Sequence, residues 1–310
     1  MRNAKRQISG VLLLDKPAGL TSNAALQKVK RLFQAAKAGH TGTLDPLATG
    51  LLPVCLGEAT KFSQGLLDSG KVYQAVIKLG ETTSTGDAEG EILSRQAVDV
   101  SRAQVEKALS RLLGSISQIP PMYSALKHRG KPLYAYAREG KHVEREPRQV
   151  RIESLRLDNI TREEIKITIH CSKGTYIRVL AEDLGKGLGC GAYLKALRRD
   201  EVGPFHLHEA LSLPRLEAMS LEQRDASLLP VDSLLQGLPE ILLEDEYCRN
   251  FLQGHAISQA ALPICGMARV YNMKQRFIGL GEITTEGKIK PKRLLVEHKA
   301  QLNKSTRETV

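Results

Sequence analysis

The chain has 310 residues, enough for about two domains with a sizeable core. Its 45 Lys and Arg against 34 Asp and Glu give a formal net charge of +11, which favours a polyanionic partner, either nucleic acid or an acidic membrane. The membrane is disfavoured, because no apolar run approaches the roughly 18 residues of a spanning helix. The basic stretch at residues 1–10 is followed by no signal-peptide pattern. Cys55, Cys171, Cys190, Cys248 and Cys265 are odd in number and widely spaced, which argues against a disulfide framework and a zinc site. That usage points to a reducing cytosol.

In chain order, residues 10–14 read as a strand and 15–19 as a turn. Thr21, Ser22 and Asn23 offer N-cap oxygens to a helix running to about residue 36. Residues 39–50, Gly-His-Thr-Gly-Thr-Leu-Asp-Pro-Leu-Ala-Thr-Gly, put the single carboxylate of Asp45 into a loop of small and turn-forming residues. Taken alone, an Asp before a Pro in such a loop is a turn residue. Backbone free of bulky side chains also lets a ligand approach. The apolar run 51–56 reads as a buried strand, a short helix is expected near Ala59, and Lys71–Leu79 alternates as a strand. Ser101 is placed to cap a helix over 101–113. Residues 121–148 break the pattern with Pro121, Pro132 and Pro147. Between 127 and 151, eight basic residues face only Glu139, Glu144 and Glu146, with Tyr134 and Tyr136 interleaved. Strands resume at 149–157 and Glu164–Cys171, and a helix is expected from Thr175 to about residue 185. His206 and His208 alternate on one strand face with no carboxylate or Cys partner evident, so no metal is assigned. Pro230, Gly237 and Pro239 mark a boundary. Beyond it come a helix near 244–254 and strands near 268–272, Phe277–Ile283 and 288–295, then a polar tail at 297–310 expected to be disordered. The irregular order of strands and helices makes the class α+β.

The loop at 39–50, with Gly57-Glu58-Ala59-Thr60-Lys61 after it, resembles the catalytic motif of the TruB family of pseudouridine synthases. The resemblance extends over nearly the whole chain. It takes in residues 16–22, Lys71-Val72-Tyr73 with Leu79, Gly80 and Thr82, residues 172–178, Leu197-Arg198-Arg199 and Val202-Gly203-Pro204-Phe205. It implies a mixed-sheet catalytic domain over 1–235 whose basic insertion at about 121–148 is an RNA-gripping thumb. The small β-rich segment 240–296 resembles a PUA domain, an RNA-binding barrel, through residues 251–255 and its strand order. The implied activity is isomerisation of uridine-55 in the T loop of tRNA, with no cofactor, metal, guide RNA or obligate protein partner.

The family pattern makes Asp45 the nucleophile, Arg178 its ion-pair partner, and Tyr73 the residue that stacks on the uracil and takes the C5 proton. Tyr176 and Leu197 would line the base pocket and His40 would contact the flipped nucleotide. Lys61, Lys127, Arg129, Lys131, Arg138, Lys141 and Arg145 are the expected contacts to the RNA backbone. The chemistry agrees with these residue types. Substrate and product share one formula, so no redox carrier or phosphate donor is needed, and an ionised carboxylate serves as nucleophile or base. A cation beside it is expected to hold it ionised by lowering its pKa. Two other readings compete: an RNA chaperone that folds tRNA without chemistry, and a guide-RNA-dependent relative of larger ribonucleoproteins. The first is compatible with catalysis. The second is disfavoured by the basic insertion, which points to independent tRNA binding.

Overall fold

The structure, a computed structural model, describes residues 5–258 and 265–295. Among these, ten strands form one mixed sheet. From edge to edge its main path runs Leu211–Ser212, Gly10–Lys16, Thr49–Leu56, Ala192–Val202, Lys71–Leu79, Glu164–Cys171, Arg148–Ile160 and Gly114–Gln118. Gly10–Lys16 and Thr49–Leu56 are apolar on both faces because each face meets a different core. Leu12, Leu14, Leu52, Val54 and Leu56 enter the large cluster, while Val11, Leu13, Leu51 and Cys55 enter a second one. Lys71–Leu79 instead alternates, with Tyr73, Ala75, Ile77 and Leu79 buried on one face.

Several boundaries differ from the sequence reading for local reasons. The first helix, Ser22–Leu32, is capped by Thr21 Oγ1 accepting from the Ala24 N–H at 3.0 Å. It stops short of residue 36 because Gln34 takes a left-handed conformation, φ +52°, and Ala36 bonds to Arg6 instead. Helix Arg102–Ser110 carries a full capping box between Ser101 and Gln104 and ends before the strand Gly114–Gln118. Helix Ile177–Leu188 starts two residues after Thr175, whose hydroxyl donates back to the Ser172 carbonyl and closes a turn. The segment 121–148 is more regular than its composition implies. It holds a small hairpin, Lys127–His128 against Lys131–Pro132, and helix Leu133–Arg138.

A five-stranded sheet closes the chain in the order Glu240–Leu243, Gly266–Asn272, Phe277–Ile283, Lys288–Leu294 and Ile257–Ser258, covered by helix Asp245–Gln253. Its own core includes Phe251, Val270 and Ile278. Its other face joins the second cluster of the main sheet. Phe277 meets Phe62 edge to face with ring centroids 5.3 Å apart, and the Tyr271 hydroxyl donates to Asp232 at 2.7 Å. The tail at 297–310 lies outside the described residues. Among the described residues no helix is long and apolar enough to cross a membrane.

Candidate active site

The Asp45 loop is pinned from three sides. Ser22 Oγ donates to the Leu44 carbonyl at 2.9 Å and accepts from the Leu44 N–H at 2.8 Å. The Gly19 N–H donates to the Pro46 carbonyl at 2.8 Å. Lys16, fully buried, donates to the carbonyls of Leu20 at 2.7 Å and Pro17 at 2.9 Å and reaches Pro46 at 3.5 Å. The segment 16–22 is therefore the scaffold of the loop. From below, the Arg199 guanidinium donates to the carbonyls of Leu51 at 2.8 Å and Gly42 at 3.0 Å. The strand pairing that brings it there requires Gly50. This residue sits at φ +99°, and a Cβ would fall 2.3 Å from the Arg199 carbonyl oxygen.

Arg178, 5% exposed, points from the first turn of its helix to Asp45, with Nε to Oδ2 at 3.1 Å. It also meets Asp87 at 3.4 Å and donates to the carbonyls of Thr85 at 3.2 Å and Tyr123 at 2.6 Å. Asp87 escaped the sequence reading. It is buried in the turn between Glu81–Thr83 and Ile92–Arg95, where it accepts from Thr85 Oγ1 and the Glu89 N–H. A carboxylate after Thr85-Gly86 has the look of an ordinary turn residue, so only the fold discloses its partner.

The second carboxylate changes the electrostatics. Burial pushes the Asp45 carboxyl above its ordinary value. Arg178 and Lys16 pull it down, and Asp87 pushes it up again. The expectation that Arg178 would hold Asp45 low is thus reversed, because burial outweighs the pull of Arg178, which also faces Asp87. A role that needs the ionised form is lost as pH falls through this raised pKa. The single-turnover rate is expected to drop with an inflection above the ordinary value of about 4, and a rate constant down to pH ~4 would overturn that.

Asp45, Tyr73, Tyr176, Leu197 and Arg178 line one cavity of about 410 Å³ together with Lys71, Arg199 and residues 124–126 of the insertion. Burial raises the Tyr73 phenol, and the neighbouring Arg199 cation opposes this. Tyr176 precedes the Arg178 helix in an extended conformation, its N–H donating to Gln118 Oε1 at 3.0 Å.

Two expected contacts lie elsewhere. His40 ends the short strand Ala38–His40, does not line the cavity, and keeps a buried Nδ1 without a partner. Burial and Arg199 lower its pKa. Lys61 pairs with Glu58 on the turn of 3₁₀ helix Gly57–Lys61.

In the insertion, Lys127, Arg129, Arg138 and Lys141 are exposed. Lys131 and Lys141 share Glu139, and Arg138 lies over the Tyr134 ring at 5.4 Å. Arg145 donates to the Pro120 carbonyl at 3.1 Å. His206 does have a carboxylate neighbour, Glu201 at 3.3 Å, and it stacks on His208, which lies in a 3₁₀ turn and not on the strand. Among the described residues no group of three or more His, Cys, Asp or Glu is placed to hold a metal. Burial pushes the Cys55 thiol up to about 12 and Cys171 to about 11, so both are unreactive core residues.

Residues 30–177 match the family model described as TruB family pseudouridylate synthase, N-terminal domain. Residues 178–236 match the tRNA pseudouridylate synthase B C-terminal domain, and 239–295 match the C-terminal model of pseudouridine synthase II TruB. A curated tRNA pseudouridine synthase B from Methylobacillus flagellatus is 52% identical over 294 residues, 95% of this chain and 97% of the relative. One from Nitrosospira multiformis is 54% identical over 304 residues, 94% of this chain and 97% of the relative. Among solved structures, a Cbf5–Nop10–Gar1 complex contains a chain similar in fold, with TM-score 0.71, 24% identity and coverage of 93% of this chain and 85% of that chain. With the loop, the strand pairings and the cavity of one fold, and relatives spanning nearly its full length, the chain belongs to the TruB family of pseudouridine synthases, a family of isomerases.

Proposed function

We propose that the protein converts uridine-55 in the T loop of tRNA to pseudouridine, in the cytoplasm, without a guide RNA or an obligate protein partner. The observation that carries this reading is the Asp45–Arg178 pair opening onto a cavity walled by Tyr73, Tyr176 and Leu197. Relatives named for action on tRNA support the substrate class.

The target base is extruded from its loop at a cost of a few kcal/mol, which contacts to the surrounding RNA offset. Asp45 bonds to C1′ as the C1′–N1 electron pair leaves with uracil. The ring turns against Tyr73, C5 attacks C1′ and displaces Asp45, and the C5 proton is removed as N1 takes up a proton, so that the product keeps the formula of the substrate. Arg178 orients the carboxylate throughout. His40 meets the nucleotide or the space it vacates only if binding brings RNA to that strand. Lys61 and the basic insertion, next to the cavity rim at 124–126, hold the backbone.

The test is incubation of the purified protein with an unmodified tRNA transcript and no other macromolecule or cofactor, followed by mapping of pseudouridine. Product at position 55 is expected. Product at another position, or none without an added RNA or protein, would overturn the assignment. Changing Arg138, Lys141 and Arg145 to Ala is expected to weaken binding and reduce the salt-dependence slope by about one unit per lost phosphate contact. An unchanged slope in a filter-binding titration would make this segment a solvated face.

A further inference from the structure

The charges that line the cavity are unevenly neutralised. Among the described residues Asp45 is its one acidic wall residue, against Lys71, Arg178 and Arg199. Arg178 lies between Asp45 and Asp87. Arg199, 1% exposed, donates to the backbone oxygens of Leu51 and Gly42, has the Tyr73 side chain as a further hydrogen-bond partner, and joins no ion pair among the described residues. Lys71, 7% exposed, donates to the carbonyls of Leu67 at 2.9 Å and Ser69 at 2.5 Å and is also in no ion pair among them. Burial pulls its ammonium down to about 8, so it stays charged at neutral pH. Both groups flank Tyr73. Arg199 is its cross-strand partner, and Lys71, two positions earlier on the same strand, shares its face. A buried cation without a counter-charge is costly. A pre-positioned charge in a closed site is effective where charge develops during reaction.

We propose that Arg199 and Lys71 form a cationic wall that stabilises negative charge on the uracil as its glycosidic bond breaks. The inference rests on the isomerase reading above. When Asp45 bonds to C1′, the C1′–N1 pair departs with the base. The negative charge leaves Asp45, one of two carboxylates paired with Arg178. It spreads over N1 and the two carbonyl oxygens of a ring lying against Tyr73. It is consumed when C5 bonds to C1′, and the C5 proton leaves afterwards. The fixed charges of the wall thus favour the displacement of charge from the Asp45 side to the Arg199 side.

The test uses leaving-group sensitivity. Transcripts carry uridine or 5-fluorouridine at the target, and the loss of the N1-linked nucleoside is followed in single turnover with wild type, Arg199→Gln, Arg199→Lys and Lys71→Gln. Fluorine makes N1 more acidic, so its departure needs less stabilisation. Arg199→Gln is expected to slow cleavage of the uridine substrate about 10- to 100-fold. On the fluorinated substrate the loss should be only about 2- to 3-fold, with near-normal tRNA binding and substantial recovery in Arg199→Lys. Equal losses on both substrates, or a Lys variant no better than Gln, would overturn the proposal and leave Arg199 as a clamp on the Leu51 and Gly42 carbonyls. If Arg199→Gln does not fold, Lys71→Gln decides by the same ratio. Wild type that forms no pseudouridine would instead sink the isomerase reading itself, and this inference with it.

Discussion

An Asp45→Asn variant is expected to bind tRNA with close to wild-type affinity and to make no pseudouridine. The amide keeps the shape of the side chain. The loop around it is held by Ser22, Gly19, Lys16 and Arg199 through bonds that involve backbone groups and not the Asp45 carboxylate. Arg178 retains Asp87 and two carbonyl partners, so the guanidinium stays in place. The bond to C1′ is what disappears. Loss of a nucleophile of this kind costs about 10⁴- to 10⁶-fold in turnover. The melting temperature should hold or rise, because burial, the main cause of the raised Asp45 pKa, penalises a charge that the amide lacks, and the repulsion from Asp87 goes with it. Pseudouridine formed at a rate near that of wild type would refute the role of Asp45.

Tyr73→Phe is expected to separate two jobs that the tyrosine combines. Phe keeps the aromatic face for the extruded uracil and removes only the hydroxyl. Burial keeps that phenol neutral at rest, so it serves as a base only by handing on its own proton as it receives the one from C5. Without it, the glycosidic bond still breaks and C5 still joins C1′, but deprotonation stalls. Binding should be normal and release of pseudouridine slowed about 10²- to 10⁴-fold, the usual weight of a general acid–base group. Mass analysis should detect a C5-linked intermediate. Tyr73→Leu should in addition weaken engagement of the base. Wild-type turnover in the Phe variant would leave Tyr73 as a stacking platform and move the base role to Asp45 or a water.

The strands Lys71–Leu79, Glu164–Cys171 and Phe277–Ile283 could be placed from sequence to the residue. Each is bounded by turn residues, and alternation is sharp in the first two, where a single face is buried, while Phe277–Ile283 is a short apolar run buried on both faces. Gly114–Gln118 carries only one buried residue, Gln118, so its pattern says little, and it passed unread. The site followed a different logic. Asp45 in isolation is a turn residue and Tyr73 a core tyrosine, and the long family pattern is what singled them out. Asp87 gave no such signal, and Lys71 and Arg199 lay inside the segments that carry the family pattern without a role being assigned to them. Asp87 meets Arg178 across 91 positions (178 minus 87), and Arg199 reaches Tyr73 only through a cross-strand register. The direction of the Asp45 shift was missed because it is set first by the burial of the folded site, to which a second acid from a distant turn adds.

The edge-to-face pair Phe62–Phe277 sets a timetable for the growing polypeptide. Phe62 is made early, yet its ring partner is 215 positions downstream (277 minus 62). At about 5–20 residues per second, ribosomes take roughly 10–40 s to supply that partner. Once Val202 and Phe205 have joined Phe62 and Leu66, the apolar face they form is without its cover until Tyr271 and Phe277 follow. Messages cut short before the last strands therefore yield chains with a sticky, half-finished surface, ready substrates for chaperones and proteases, even though every residue of the cavity has already been made.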